Sequence, residues 1–232
     1  GMGRAGIRPE ELDSILDLIK RSRRIRLEGT FANLSSADDP ASLATAQQLS
    51  ALRDGVSRMR SAGVAPGLVH LANSAGILAH RDAWFGGVRP GLGLYGIAPS
   101  DAVGAPELVP AMSIVSRVVA VRRVPAATPL GYGGRFVTSR PTTIAVLPIG
   151  YHDGFLRSFS GNVSVLLRGR KAPVVGSISM DVTLVDATET GAEHGDPVIC
   201  LGRDGDTAVT AWDLARAAGT KNLSYAASAA LK

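Results

Sequence analysis

A chain of 232 residues, 45% hydrophobic and 19% charged, can bury a sizeable core in one large or two modest domains, and its composition excludes disorder. The single cysteine, Cys200, excludes an internal disulfide, and no cysteines and histidines stand at zinc-ligand spacing, so a reducing cytoplasm is the expected setting. Neither a charged-then-apolar leader nor an apolar run of bilayer length is present, and the formal net charge of +5 leaves nucleic acid as the one partner class to weigh against a small-molecule ligand.

From Pro9 to Lys20 the residues Leu12, Ile15, Leu16 and Ile19 recur at spacings of three and four behind a proline suited to a first turn, which predicts an amphipathic helix. The dense basic cluster Lys20-Arg21-Ser22-Arg23-Arg24-Ile25-Arg26 closes it and complements the negative end of the helix dipole. Trp84, Trp212 and the other aromatics do not interleave with basic residues as a stacking platform for nucleic acid would. A short strand is expected over Leu27 to Phe31, then a polar loop from Ser35 to Pro40, and a second long helix from about Leu43 to Ala62, stopped by Gly63. Leu68 to Ala72 reads as a buried strand and Ser74 to Leu78 as a short helix. Gly87-Val88-Arg89-Pro90-Gly91 then leads to a further strand-like stretch, Leu92-Gly93-Leu94-Tyr95. Strands alternating with helices imply parallel pairing.

The pattern changes after Pro99-Ser100, where a loop rich in Ala, Gly and Pro runs to about Pro110. The predicted organisation is an α/β domain over 1–108 and a β domain over 109–232. In the second, strands are expected within Met112 to Val124, Thr142 to Leu147, Gly161 to Arg168, Val174 to Val185 and Asp196 to Leu201, with turns such as Arg203-Asp204-Gly205-Asp206 between them. Runs of strands without intervening helices predict antiparallel sheet, and Ala211 to Ala218 a lone helix ended by Gly219.

The segments Leu130-Gly131-Tyr132-Gly133-Gly134, Gly150-Tyr151-His152-Asp153-Gly154 and Met180-Asp181, in order behind Gly1-Met2-Gly3-Arg4-Ala5-Gly6, Asn73-Ser74-Ala75-Gly76 and Arg89-Pro90-Gly91-Leu92-Gly93-Leu94-Tyr95-Gly96, together resemble alanine racemase. The resemblance spans essentially the whole chain. It implies the C-terminal half of a (β/α)8 TIM-type barrel followed by an antiparallel β domain, pyridoxal 5'-phosphate as cofactor, and interconversion of L- and D-alanine for peptidoglycan. It also implies a head-to-tail homodimer. The family's Schiff-base lysine lies ahead of the first residue here, so the expectation is that the chain needs an N-terminal fragment and is inactive alone. Lys20, Lys171, Lys221 and Lys232 lie outside that lysine's context. The rival reading is a non-catalytic dimerising or ligand-binding remnant of the racemase fold.

Racemisation needs bases on opposite faces of a carbon whose proton is barely acidic, and the cofactor acts as electron sink. The resemblance places one base at Tyr132, reaching into the partner's site. A phenol needs nearby positive charge or hydrogen bonds to act as a base near neutrality. Two flanking glycines would let backbone approach closely, although a turn aromatic would look the same. Arg89 would face the pyridine nitrogen and, holding its proton tightly, leave that nitrogen unprotonated. Taken alone, an Arg-Pro step after a strand is more often a capped turn or a surface salt bridge. Asn73 and Ser74, with the backbone of Gly91 and Leu92, would receive the cofactor phosphate on helix-start amides, whereas Asn73-Ser74 by itself also reads as an ordinary N-cap. Arg4 would contact the cofactor's phenolic oxygen and the substrate carboxylate.

The Met180 amide and Asp181 would bind substrate and organise the pocket, with Tyr151 narrowing its entrance to small amino acids. Asp181 otherwise reads as a turn residue and Tyr151 as a half-buried aromatic. The sequence departs from the family at Asn33, where a histidine close to the cofactor ring is usual. Asparagine keeps the hydrogen bonding and loses the titratable nitrogen.

Overall fold

The computed structural model describes residues 1–104 and 108–220. The middle of the Ala-, Gly- and Pro-rich loop, and Lys221 and Lys232, lie outside the described residues. The chain divides into two compact units, Gly1–Val109 and Pro110–Lys232.

In the first unit a 3-10 turn at Pro9–Glu11 feeds helix α1, Leu12–Arg21. Its apolar stripe buries Leu12 and Leu16 against Met59 and Val64, each fully buried side chain contributing about 1.5–3 kcal/mol. Lys20 and Arg21 occupy the last turn and both pair with Asp17, so the start of the basic cluster is a solvated helix end. Strand β1, Gly29–Phe31, is shorter than the expected run and pairs in parallel with β2, Leu68–His70, in the register Thr30↔Val69. Between them helix α2, Ala44–Ser61, turns Leu49, Leu52 and Val56 onto Val69, Leu71 and Ala72. Gly63, at φ +75°, adopts the left-handed conformation that ends it.

Helix α3, Ser74–Ala79, is capped by Asn73, whose side chain accepts the Gly76 amide at 3.1 Å. The third parallel strand is reduced to one bridge, His70↔Gly87. Leu92–Tyr95 is a 3-10 turn rather than a strand: it turns on Gly91 and ends at Gly96, whose φ of +69° an extended chain cannot hold.

The second unit is an antiparallel sheet, eight-stranded among the described residues. Its strands are β3 (Ile114–Arg117), β4 (Ala120–Val124), β7 (Thr142–Leu147), β8 (Ser164–Leu167), β9 (Arg170–Val175), β10 (Thr183–Asp186), β11 (Pro197–Asp204) and β12 (Thr207–Val209). Their order is β12-β11-β8-β9-β10-β7-β4, with β3 also on β11. A separate small hairpin joins β5, Pro129–Leu130, to β6, Phe136–Val137. The core is built from the buried residues Val118, Ile144, Ala145, Leu147, Val165, Leu167, Val174, Val185 and Val198.

Two predicted strands are divided. The run Met112 to Val124 is broken at Val118, which is fully buried and hydrogen-bonded to Asp196 instead of continuing the ladder. The run Val174 to Val185 is interrupted after Val175, because Gly176 takes φ +69° and the chain leaves the sheet until Thr183. Met180 and Asp181 therefore lie on a loop. Helix α4, Ala211–Ala217, starts in a capping box between Thr210 and Asp213. Cys200 is buried on β11, and burial pushes its thiol up to about 12, which makes it an inert core residue. Among the described residues no helix is long and apolar enough to cross a membrane.

Candidate functional site

Two groups of predicted site residues form, one in each unit. In the first unit, Ser74 opens α3 directly behind its Asn73 cap, so the orphan amides of a helix start and the Ser74 hydroxyl share one place. The Ser74 Oγ accepts the amides of Gly91 at 2.8 Å and Gly93 at 3.2 Å. Asn73 closes the other side by donating its Nδ2 to the Leu34 carbonyl at 3.0 Å. A Cβ on either glycine would stand 3.7 Å from the Ser74 oxygen, an ordinary van der Waals contact. With the Gly91 and Gly93 amides donating to the Ser74 oxygen, the Ser74 hydroxyl hydrogen and the orphan amides of the α3 start are the donors an anion could meet here. Leu92 lies between the two donating glycines and opens the 3-10 turn. Gly93 was not singled out by sequence. The alternation Gly91-Leu92-Gly93 is the signal that could have found it.

Arg89 follows the bridge that aligns Gly87 with β2, and that pairing delivers its guanidinium to the ends of the parallel strands. Nη2 donates to the carbonyls of Ala32 at 2.7 Å and Leu71 at 3.2 Å and to Asn33 Oδ1 at 3.1 Å. Nη1 reaches the His70 ring Nδ1 and the His70 carbonyl. The Phe31 ring stacks on His70 with centroids 5.2 Å apart and lies 5.4 Å from the guanidinium carbon, adding cation–π attraction. Burial and then the charge of Arg4 lower the Arg89 pKa from its ordinary value. Burial, followed by the Arg89 charge, pushes His70 below its ordinary range. Arg4 itself is exposed and acts on Arg89 through this field. Asn33, expected as a departure, is a working part of the network. Phe31 and His70 were missed, since neither carries a local motif.

In the second unit three separate segments converge. Tyr132 sits on the tight turn between β5 and β6, 68% exposed, with Gly131 at φ +70° and Gly133 at φ +73° on either side. A Cβ at Gly131 would lie 2.8 Å from the Ser177 amide nitrogen, so only glycine lets this turn rest on the loop leaving β9. Ser177 Oγ donates to the Tyr132 carbonyl at 3.3 Å. The Tyr151 and His152 amides donate to the carbonyls of Ser179 at 3.1 Å and Met180 at 3.0 Å. Gly150 is packed so tightly there that a Cβ would overlap both carbonyl oxygens. Tyr151 and Met180 are thus held side by side, both substantially exposed, and Asp181 is exposed next to them.

The fold defines the class first: parallel strands and helices with a glycine turn held by Ser74 on the loops that follow them, succeeded in sequence by an antiparallel β domain. Residues 1–99 match the family model described as alanine racemase, N-terminal domain, and residues 111–230 that described as alanine racemase, C-terminal domain. The chain belongs to the alanine racemase family. It is 40% identical over 222 residues to an alanine racemase of Syntrophobacter fumaroxidans, an alignment that covers 95% of this chain and 59% of that protein. Among solved structures it is similar to alanine racemase from Bacillus anthracis with bound L-Ala-P, with a TM-score of 0.90, 32% identity, and coverage of 97% of this chain and 59% of that one. It is also similar to alanine racemase from Bartonella henselae with covalently bound pyridoxal phosphate, with a TM-score of 0.82, 29% identity, and coverage of 97% and 61% respectively. The chain thus spans about three fifths of the length of these relatives. Its fold is the later part of a (β/α)8 barrel followed by an antiparallel β domain.

Proposed function

We propose that the protein serves as the C-terminal portion of a cytoplasmic, pyridoxal-phosphate-dependent alanine racemase that works as a homodimer and supplies D-alanine for peptidoglycan. The carrying observation is the cradle of Ser74, Gly91 and Gly93 beside an Arg89 whose contacts run to neutral groups of the chain. A phosphate ester fits the cradle: it needs several donors, and the orphan amides of the α3 start together with the Ser74 hydroxyl hydrogen, left free because the Ser74 oxygen only accepts from Gly91 and Gly93, can supply them.

When bound, the cofactor supplies an electron sink for the pair left behind by the α-proton. The roles of the chain's own residues follow from their placement. Ser74 and the amides of Gly91, Leu92 and Gly93 would hold the phosphate, the two glycine amides exchanging the Ser74 oxygen for a phosphate oxygen, with Asn73 fixing the helix start. Arg89, kept in place by protein acceptors, presents a cation that does not give up its proton, so a ring nitrogen facing it stays unprotonated. Arg4 adds positive charge for the phenolic oxygen and the substrate carboxylate. Tyr132 is the base offered to a partner subunit's site, and its exposure on a glycine-flanked turn supports that role. The Met180 amide binds substrate carboxylate, Asp181 organises the pocket, and Tyr151, locked to the Met180 loop, narrows the entrance to small amino acids.

The test is production of D-alanine from L-alanine with added pyridoxal phosphate. It is read on this chain alone and on the chain supplemented with the N-terminal segment of the Syntrophobacter relative. D-alanine in either mixture, abolished by Tyr132→Phe, supports the proposal. Cofactor retention without turnover in both mixtures favours a ligand-binding remnant, and the absence of both overturns the cofactor reading as well.

A further inference from the structure

We propose that Thr138 is a positioning residue for Tyr132: its buried hydroxyl clasps the base of the hairpin that carries the tyrosine and so fixes where the phenol stands. The role assigned to Thr138 rests on the reading of Tyr132 as a base offered to a partner's site. The ladder of this hairpin has two residue pairs, Pro129↔Val137 and Leu130↔Phe136, and its tip turns on Gly131, Gly133 and Gly134, all with positive φ. A two-stranded hairpin is marginal in water by itself, and glycines leave its tip free to move, so the place of Tyr132 depends on what holds the two ends. The loop leaving β9 supports the tip at Gly131. Thr138 holds the base.

Thr138 is 2% exposed and directly follows β6. Its Oγ1 accepts the Thr128 amide at 2.9 Å and donates to the Pro125 carbonyl at 2.8 Å. The Thr128 carbonyl, 3.5 Å away, is too distant to compete for the one hydroxyl hydrogen. Backbone bonds close the same ring: the Thr138 amide donates to the Thr128 carbonyl at 3.0 Å, and the Thr138 carbonyl accepts the Ala127 amide at 2.7 Å. Thr128 Oγ1 also donates to Pro125, at 2.8 Å, so both hydroxyls meet on the carbonyl just past β4. The hairpin is thereby fastened to the end of a strand of the main sheet. Within the clasp Ala127 is held at φ +60°, a left-handed conformation that a residue with a Cβ keeps only where its surroundings impose it. A β-branched side chain without the hydroxyl cannot replace Thr138: the Thr128 amide would lose its acceptor and the Pro125 carbonyl one of its donors. The hairpin would then pivot on the Gly131 contact and carry the phenol with it. A base works only within hydrogen-bonding reach of the proton it takes.

The experiment compares Thr138→Val with Thr138→Ser in the full chain. Nuclear magnetic resonance reads the clasp: in T138V the Ala127 and Thr128 amides are expected to exchange with solvent about tenfold faster. The heteronuclear Overhauser effect at Tyr132 and Gly133 is expected to fall, while the amides of β7 stay as they were. T138S keeps the hydroxyl and should restore the wild-type values. Turnover is read in the mixture with the N-terminal segment of the Syntrophobacter relative. There kcat is expected to drop on the order of ten- to hundredfold in T138V, the effect of a misplaced catalytic group, with KM little changed, and T138S should recover most of the rate. Thr188→Val, which removes a hydroxyl holding the Thr143 amide elsewhere in the unit, is expected to alter neither readout. If T138V does not fold, T138A makes the same comparison without placing a methyl beside the Pro125 carbonyl. Unchanged exchange at Ala127 and Thr128 overturns the clasp, and a loosened hairpin with undiminished kcat overturns the positioning role. If the wild-type mixture makes no D-alanine, the racemase reading falls, and the Overhauser effect at Tyr132 then decides for or against Thr138 as the residue that places it.

Discussion

Arg89 and Asn33 meet at 3.1 Å, guanidinium Nη2 to amide Oδ1, although they are 56 residues apart. The contact exists because β1 and β2 pair in parallel and the Gly87 bridge continues that pairing, so that the C-terminal ends of three strands place Asn33, His70 and Arg89 around one point. The guanidinium there is surrounded by backbone carbonyls and neutral side chains rather than by a carboxylate. It therefore keeps its full positive character toward whatever approaches from outside.

Replacing Arg89 with lysine removes the fork that spans these acceptors and leaves the carbonyls of Ala32 and Leu71 short of a donor. A loss of about 1–3 kcal/mol of unfolding free energy is expected, measured by urea denaturation. Asn33→Ala removes one acceptor of the guanidinium and the Nδ2 donor to the Leu34 carbonyl, which Asn73 still serves, and is expected to cost about 0.5–1.5 kcal/mol. Equal costs for the two would show that Asn33 alone positions the guanidinium.

Ser74→Ala deletes the oxygen that gathers the Gly91 and Gly93 amides. Binding of pyridoxal phosphate, followed by fluorescence titration, is expected to weaken about tenfold or more, the worth of one charge-assisted hydrogen bond. Thermal stability should change little, because Asn73 remains as the helix cap. An unaltered affinity would remove Ser74 from the phosphate site.

Gly150→Ala tests the union of the Tyr151 and Met180 loops. Gly150 has an extended backbone that any residue can adopt, so the penalty is purely steric: the new methyl overlaps the Ser179 and Met180 carbonyl oxygens. Overpacking of this kind costs about 1–3 kcal/mol, and the change should appear both in the melting temperature and in the amide resonances of Tyr151 and His152. A neutral substitution would mean that the two loops move freely past one another.

His70 should titrate below the ordinary histidine value of 6.5, because burial and then Arg89 disfavour its protonated form. As pH falls through 6.5 the unfolded chain takes up the proton first. The stability that His70 contributes is therefore present above 6.5 and is lost as pH drops toward its depressed folded value. Nuclear magnetic resonance titration of the ring protons measures the midpoint directly. Arg89→Met is expected to restore only part of the shift, since burial is the larger cause, and full restoration would reverse that ranking.

Local signals explain what was legible along the chain. The spacing of Leu12, Leu16 and Ile19, and the stop at Gly63, located α1 and α2 to within a few residues, because helix periodicity and left-handed glycines are properties of neighbouring positions. The antiparallel character of the second unit followed from strand runs without helices between them. Where strands were over-extended, at Val118 and at Gly176, the ladder was broken by burial and by a backbone conformation that propensity does not register. The third strand of the α/β unit shrank to a bridge for a similar reason, since glycine-bounded turns on either side leave no room for a longer ladder.

The sequence by itself determined the elements, the family and the chemical types at the candidate site: an N-cap serine, a glycine pair, an arginine and a tyrosine between glycines. Tertiary structure alone decided that Gly93 shares the Ser74 oxygen with Gly91 and that Asn33, His70 and Phe31 enclose Arg89. The reason is physical. Those partners are backbone amides and carbonyls, which every residue possesses, or side chains remote in sequence. Only the register of parallel strands and the close approach of glycine backbones bring them within hydrogen-bonding distance.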